Sequence, residues 1–479
     1  MKRIALLLSL CLLAMSLPAL SACAGGEVPR SEYAITAAYE EGVLAAELRF
    51  TYRNAEECEM PALEFNLYGN AFREGAQYAP VSRSYRAKAY YNGESYGQMQ
   101  IEEVSPCAAW EVCGEDENIL RVDLEKPVPP GGETAVTIRY ALQLAEVEHR
   151  TGIAKYAVNL GNFYPILCVF EPETGFYACE YHSNGDPFYS ECADYSVSFT
   201  AGAEYAVAAS GQVLSAGQSG GKKTYEMALE NARDFAIVLS DEFEVLQGRA
   251  GDVNVLYYFC DDEKAAERLA LLEDCLSYFS ETFGAYPYAT FSAVQTGFCY
   301  GGMEYPALVM LSDSLGDGAY DHTAVHETAH QWWYAAVGNN ELEHAWLDEG
   351  LAEFSTLLFF ENRPQYGQDT ALFLQNARTA YNALHSVQEQ VFGRADTSMS
   401  RHLRDFAEYE YVVIAYDKGM LLFETLRDAV GERRFMAALR RYFRARSGKI
   451  AVPDDLISAF SNAGAAGVIR SFEDGSAVL

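Results

Sequence analysis

Basic residues are scarce in this chain of 479: 35 Lys and Arg stand against 68 Asp and Glu, a formal net charge of −33. A surface that binds a phosphate backbone needs a basic stripe, and none is present. Nucleic acid is therefore excluded as a partner, and a well-solvated acidic surface is expected. Long apolar runs are also lacking. Beyond the amino-terminal segment nothing approaches the ~20 apolar residues that cross a bilayer. No CxxC pair suggests a structural zinc site, and no internal repeat is visible. Eleven cysteines are present; setting aside Cys11 and Cys23 leaves an odd number, so at least one stays free. Cys107 and Cys113 (CAAWEVC) are spaced to suit a hairpin disulfide, and buried small apolar residues are the expectation for most of the others. Only eight histidines occur.

What is present begins with an export signal. Lys2 and Arg3 precede an apolar run from Ile4 to about Leu20, and Leu20-Ser21-Ala22-Cys23 resembles the bacterial lipoprotein lipobox. This predicts a signal peptide over residues 1–22, a lipid on Cys23, and a small, polar tether over residues 23–31. The rest is expected to be soluble and held at a bacterial membrane on its extracytoplasmic side.

From about Tyr33 to Gln247 the chain alternates apolar and polar residues in short runs rich in β-formers, such as ALEFNLY and AVTIRYALQL. Asn92-Gly93, Pro129-Pro130-Gly131-Gly132 and SAGQSGG punctuate them. An all-β domain over residues 32–248 is predicted, an antiparallel sandwich or saddle. Near Gly248 the period changes. A strand-like VNVLYYFC leads into a helix with Leu269, Leu272, Leu276 and Phe279 at helical spacing, Asp261 or Asp262 as N-cap and Gly284 as stop. Two further strand-like runs follow, and beyond Asp321 the pattern is helical. The fold class is thus multidomain α+β, with an α/β domain over residues 249–479 that ends in a helical part.

HETAHQWW carries His326 and His330 at i and i+4, so one helix face presents both imidazoles. Eighteen residues separate His330 from Glu349 in AWLDEG. A carboxylate returned by a second helix completes two histidines and a glutamate, a set that leaves zinc one open position and marks a catalytic rather than a structural site. Zinc lowers the pKa of water to about 7, and Glu327, beside the first ligand, is placed to act as general base. One zinc ion per chain is expected. His322 reads as a capping or solvent residue, His344 as a bystander, Trp332, Trp333 and Trp346 as packing, and Cys299 as buried.

HETAHQWW followed by WLDEGLAEF resembles the gluzincin aminopeptidases, the family of aminopeptidase N and leukotriene hydrolase. Gly301-Gly302-Met303-Glu304-Tyr305-Pro306 looks like that family's GxMEN sequence, and Tyr416-Asp417-Lys418-Gly419 like its Tyr-x-Lys-Gly sequence. The resemblance covers residues 32–479 and implies a thermolysin-like catalytic domain. It makes Glu304 the holder of a peptide's free α-ammonium. Gly301, Gly302 and Met303 become part of an edge strand on which the peptide docks, and Tyr416 the donor to the oxyanion. It implies hydrolysis of the first peptide bond of peptides with a free amino terminus. Three features depart from the family: Tyr305 stands where Asn is usual, Asp348 replaces a common Asn, and the large carboxy-terminal helical domain of longer members has no room. A more open cleft, or one closed by a partner, is expected. Three other readings stay open on sequence: a non-catalytic lipoprotein that binds peptides or a partner, a zinc endopeptidase, and a hydrolase of non-peptide substrates.

Overall fold

A computed structural model describes residues 30–460, 463–477 and 479. The signal peptide, the lipobox with Cys23 and all but the end of the tether lie outside the described residues. Among those described, no helix is long and apolar enough to cross a membrane.

The first half is β-structure, as its alternation demands. Glu32–Glu40 (EYAITAAYE) buries every second side chain, because successive strand residues face opposite sides of a sheet. It sits inside a seven-stranded sheet ordered 212–219, 222–232, 193–202, 32–40, 43–53, 133–143, 98–105. The sheet is antiparallel except at one place, where Glu32–Glu40 runs parallel to Ala193–Gly202 with Ile35 opposite Val197. A four-stranded sheet built on Met60–Asn66 and Ile119–Val128 packs against it, with the Phe50 and Phe65 rings meeting edge to face 5.3 Å apart. A second four-stranded sheet, which includes Thr151–Ile153 and Val158–Leu160, faces the second half of the chain. There Asn159 Nδ2 donates to Gly297 O and Thr296 Oγ1 donates to Asn159 Oδ1.

The second half opens with a five-stranded sheet ordered 244–250, 253–259, 290–296, 308–312, 302–303. Its three inner strands are parallel. Gly302–Met303 is an antiparallel edge strand, which places the GGMEYP segment where its sequence predicted. Helix α1 (Ala265–Thr282) follows the second strand. It starts later than expected: Lys264 is the N-cap, and Asp262 Oδ1 instead accepts from Lys264 N in the preceding turn. Three helices then build the site: α2 (Asp317–Ala329), α3 (Glu349–Asn362) and α4 (Gly419–Val430). The helical remainder carries one short strand, Lys449–Ile450, paired in parallel with Val337–Gly338.

No hairpin disulfide forms. All nine cysteines among the described residues are free, and Cys107 Sγ donates to Val104 O instead.

Candidate active site

The two histidines leave the end of α2 on one face. Chain reversal through Trp333 and Tyr334 breaks the helix after His330 and delivers Glu349 at the start of α3. His326 Nε2 and His330 Nε2 lie 3.0 Å apart, and Glu349 Oε2 lies 3.2 Å from the first and 3.3 Å from the second. The outer ring nitrogens are already engaged. His326 Nδ1 donates to Glu353 Oε2 at 2.9 Å and His330 Nδ1 donates to Trp333 O at 3.0 Å. Both Nε2 lone pairs therefore converge on one point beside a carboxylate, an arrangement only a cation satisfies. Zinc bonds of about 2.0–2.1 Å place tetrahedral ligands about 3.3 Å from one another, so this donor set fits zinc.

The same chemistry explains the electrostatics of the three ligands. Burial opposes the imidazolium of His326, but hydrogen bonds to Glu349 and Glu353 outweigh it and raise its pKa to about 10. His330 is likewise disfavoured by burial yet raised to about 10, chiefly by the charge of Glu304 and the bond to Glu349. Burial pushes Glu349 upward, and the two histidines overcome it and hold the carboxyl at about 2.

Glu353, one turn after Glu349 on α3, was not singled out in the sequence. Besides orienting His326 it pairs with His322 Nε2 at 3.2 Å, so His322 supports the ligand shell instead of capping a helix. The i, i+4 step from Glu349 to Glu353 was the available signal. Gln331 was also missed. Its Oε1 accepts from Ala307 N and its Nε2 donates to Tyr305 O, which fastens the GGMEYP segment to the end of α2. His344 takes no part; its Nδ1 has no partner and burial lowers its pKa. Trp332 and Trp333 are buried packing, anchored by Nε1 bonds to Gly284 O and Ser355 Oγ.

Glu304, Glu327 and His330 place ligand-capable atoms within 4.8 Å of one another. Glu304 Oε1 and Glu327 Oε2 are buried without a hydrogen-bond partner. Burial and the nearby Asp186 carboxylate raise Glu304 to about 7, and burial plus Glu304 raise Glu327 well above the carboxylate range. Gly302 makes this approach possible, since a Cβ there would lie 2.4 Å from Glu327 Oε1. Met303 is fully buried, and Gly301 and Gly302 line the cleft. Tyr305 does not line the cleft: it is fully buried, and its hydroxyl donates to Asn162 Oδ1 at 2.7 Å. The departure from the family's Asn is thus a contact between the two halves of the chain. Asp348 is buried, and burial together with Glu349 raises it well above the carboxylate range, so its extra charge over Asn is suppressed.

Tyr416 arrives from a π-helical stretch, Val412–Lys418, a distortion common at functional sites. Its hydroxyl donates to Glu349 Oε1, and burial with the Glu349 charge keeps the phenol protonated. The Tyr411 hydroxyl also reaches Glu349 Oε1, at 3.5 Å. What brings Tyr416 here is a helix crossing without side chains. A Cβ on Gly350 would lie 2.8 Å from Gly419 Cα, so α3 and α4 touch backbone to backbone. Lys418 is structural: burial lowers it to about 7, and Nζ donates to the carbonyls of Thr397 and Phe472 at 2.6 Å each.

These groups surround a cleft of about 370 Å³ lined by Gly302, His326, Glu327, Tyr416, Arg150 and Asp186, among others. The last two come from the β-rich half and were absent from the sequence reading. Residues 268–474 match the peptidase family M1 domain.

Residues 268–474 thus resemble the peptidase family M1 domain.

Aminopeptidase O of Mus musculus is 24% identical over 213 residues, 40% of this chain and 26% of the relative. Leucine aminopeptidase 2 of Lodderomyces elongisporus is 28% identical over 171 residues, 31% of this chain and 26% of the relative. The match thus spans about a quarter of the length of these curated relatives. An M1 zinc metallopeptidase from Deinococcus radiodurans shares the fold across 95% of each chain, with a TM-score of 0.64 at 18% identity. A structure of that protein bound to a Tyr-Ser-Ala substrate aligns with a TM-score of 0.63, also at 18% identity and over 95% of both chains.

Proposed function

We propose that this protein is a zinc aminopeptidase, with one zinc per chain, that hydrolyses the first peptide bond of peptides with a free amino terminus. The observation that carries this reading is the placement of two buried, unpartnered carboxylates, Glu304 and Glu327, beside His330. His326, His330 and Glu349 would hold the metal. Bound zinc supplies Lewis acidity, bringing the pKa of water to about 7.

The remaining work falls to side chains. Glu327 takes a proton from the attacking water and returns it to the leaving nitrogen. The Tyr416 hydroxyl, kept neutral, donates to the oxygen on which negative charge develops. Glu304 receives the substrate's α-ammonium, which fixes the cut one residue from the end. The exposed edge of Gly302–Met303 receives the peptide backbone by strand addition. The names of the curated relatives and the peptide-bound relative support a peptide substrate. The decisive experiment compares a cleaved peptide with its N-acetylated form. Acetylation is expected to abolish cleavage; equal cleavage of both forms would overturn the aminopeptidase reading and the role of Glu304.

The lipobox supports anchoring outside the cytoplasm through Cys23. Cys23→Ser should release the protein from the membrane fraction, and retention there would count against the anchor.

A further inference from the structure

The helix Thr370–Phe392 carries one apolar stripe, and only part of it is covered. Ala377, Ala380, Leu384, Val387 and Val391 recur at steps of three and four, so they share one face. Ala377 and Leu384 are buried, and Ala380 packs on the core. Further along the same helix, Val387, Val391 and the adjacent Phe392 are 57%, 65% and 74% exposed. Gly393, at φ 74°, then ends the helix. Single apolar side chains on a surface are ordinary. A stripe that continues a buried one and stays bare marks a contact surface.

Its neighbours say what covers it. Gln388, between Val387 and Val391, donates from Nε2 to Glu410 Oε1 at 2.8 Å. Glu410 stands between Tyr409 and Val412, which are 61% and 48% exposed. Val412 also lines the cleft, with Glu408 and Tyr411. A residue that is half exposed and part of the cleft wall lies at the mouth. The bare stripe is therefore continuous with the cleft through Tyr409 and Val412. Glu304, which receives the amino terminus in the reading above, is buried, so the rest of a bound peptide runs outward to that mouth. Glu410, the carboxylate within the surface, is already engaged by Gln388 and by Arg401 Nη2 at 2.9 Å, so the recognition on offer is apolar. We infer that Val387, Val391, Phe392, Tyr409 and Val412 form a docking surface for the downstream part of the substrate, an extended peptide with apolar side chains well past the cut bond. This rests on the aminopeptidase reading and deepens it: the preferred substrates are long enough to reach the stripe and apolar where they do.

The test uses the full zinc-loaded chain and substrates that share one first residue. One is the para-nitroanilide of that residue; the others are two peptides of about twelve residues, about 40 Å when extended. One peptide carries leucine and phenylalanine in its second half, the other serine and glycine. In wild type the apolar tail is expected to lower KM about 10-fold relative to the polar tail, with kcat unchanged. Val391→Gln/Phe392→Gln, which keeps good helix formers, should bring the two peptides within about twofold. The anilide, too short to reach the stripe, controls for the integrity of the cleft. The inference is overturned if wild type does not distinguish the tails, or if the variant still does. It is also overturned if the variant keeps the tail preference but loses binding to phosphatidylglycerol vesicles, or loses a dimer in sedimentation velocity, which would assign the face to a membrane or to a second copy. A wild-type protein that cleaves none of the substrates would instead remove the aminopeptidase reading, and this surface with it.

Discussion

Replacing Tyr305 by phenylalanine removes one oxygen from a buried chain of hydrogen bonds between the two halves of the molecule. Tyr305 Oη donates to Asn162 Oδ1 at 2.7 Å, and Asn162 Nδ2 donates to Asp234 Oδ2 at 2.7 Å. Asp234 Oδ1 also accepts from Tyr164 Oη at 2.9 Å and Phe235 N at 2.7 Å. Tyr305, Asn162, Asp234 and Tyr164 are all at most 2% exposed, so water cannot replace the lost donor. Leaving Asn162 Oδ1 unsatisfied costs about 1–3 kcal/mol. For a cooperative unit of 150–250 residues that lowers the midpoint by about 2–4 °C per kcal/mol, or ~2–12 °C in all. Because Tyr305 does not line the cleft, kcat/KM should change less than about threefold. Scanning calorimetry of the zinc-loaded protein and steady-state hydrolysis of an amino-acid anilide check both parts. A normal melting curve with a ~100-fold loss of kcat/KM, some 2.7 kcal/mol of transition-state stabilisation, would show that Tyr305 acts on substrate and would refute this account.

Glu327→Gln keeps all three metal ligands and should retain zinc by elemental analysis while kcat falls about 10²- to 10⁴-fold; near-normal turnover would remove Glu327 as the base. Gly350→Ala places a methyl 2.8 Å from Gly419 Cα, so α3 and α4 must separate by some tenths of an ångström. Loss of about 1–3 kcal/mol is expected together with a fall in kcat as Tyr416 shifts, and unchanged stability and activity would contradict the tight crossing. Zinc binding should strengthen with pH. A ligand imidazole binds metal through a free lone pair, so acid competes with zinc for His326 and His330. Competition with a chelator of known affinity between about pH 6 and 8 measures this, and affinity that does not fall toward pH 6 would count against the histidine ligands.

Legibility from sequence followed the range of each interaction. The proposed zinc ligands His326 and His330 are a matter of helical period, and Glu349 and Tyr416 were named by short motifs whose glycines turn out to be the points where α3 and α4 touch. The β-rich first half was visible in strict alternation, because one face of each strand must be apolar. The Cys107–Cys113 pairing failed because spacing in sequence says nothing about where two side chains point in a sheet. Asp186 and Arg150 carried no local signal: an acid in SNGDPF and a base in VEHRTG look like solvated loop residues.

By itself the sequence determined the candidate metal site and the order of sheet and helices, since both follow from periodicity and from residue types at fixed offsets. Only the tertiary structure decided that Tyr305 bridges the two halves, that Glu353 and Gln331 brace the site, and that Asp186 enters the cleft. Those contacts join residues 24 to 143 positions apart. Which partners meet over such separations is set by how the sheets and helices pack, and short-range patterns do not contain that information.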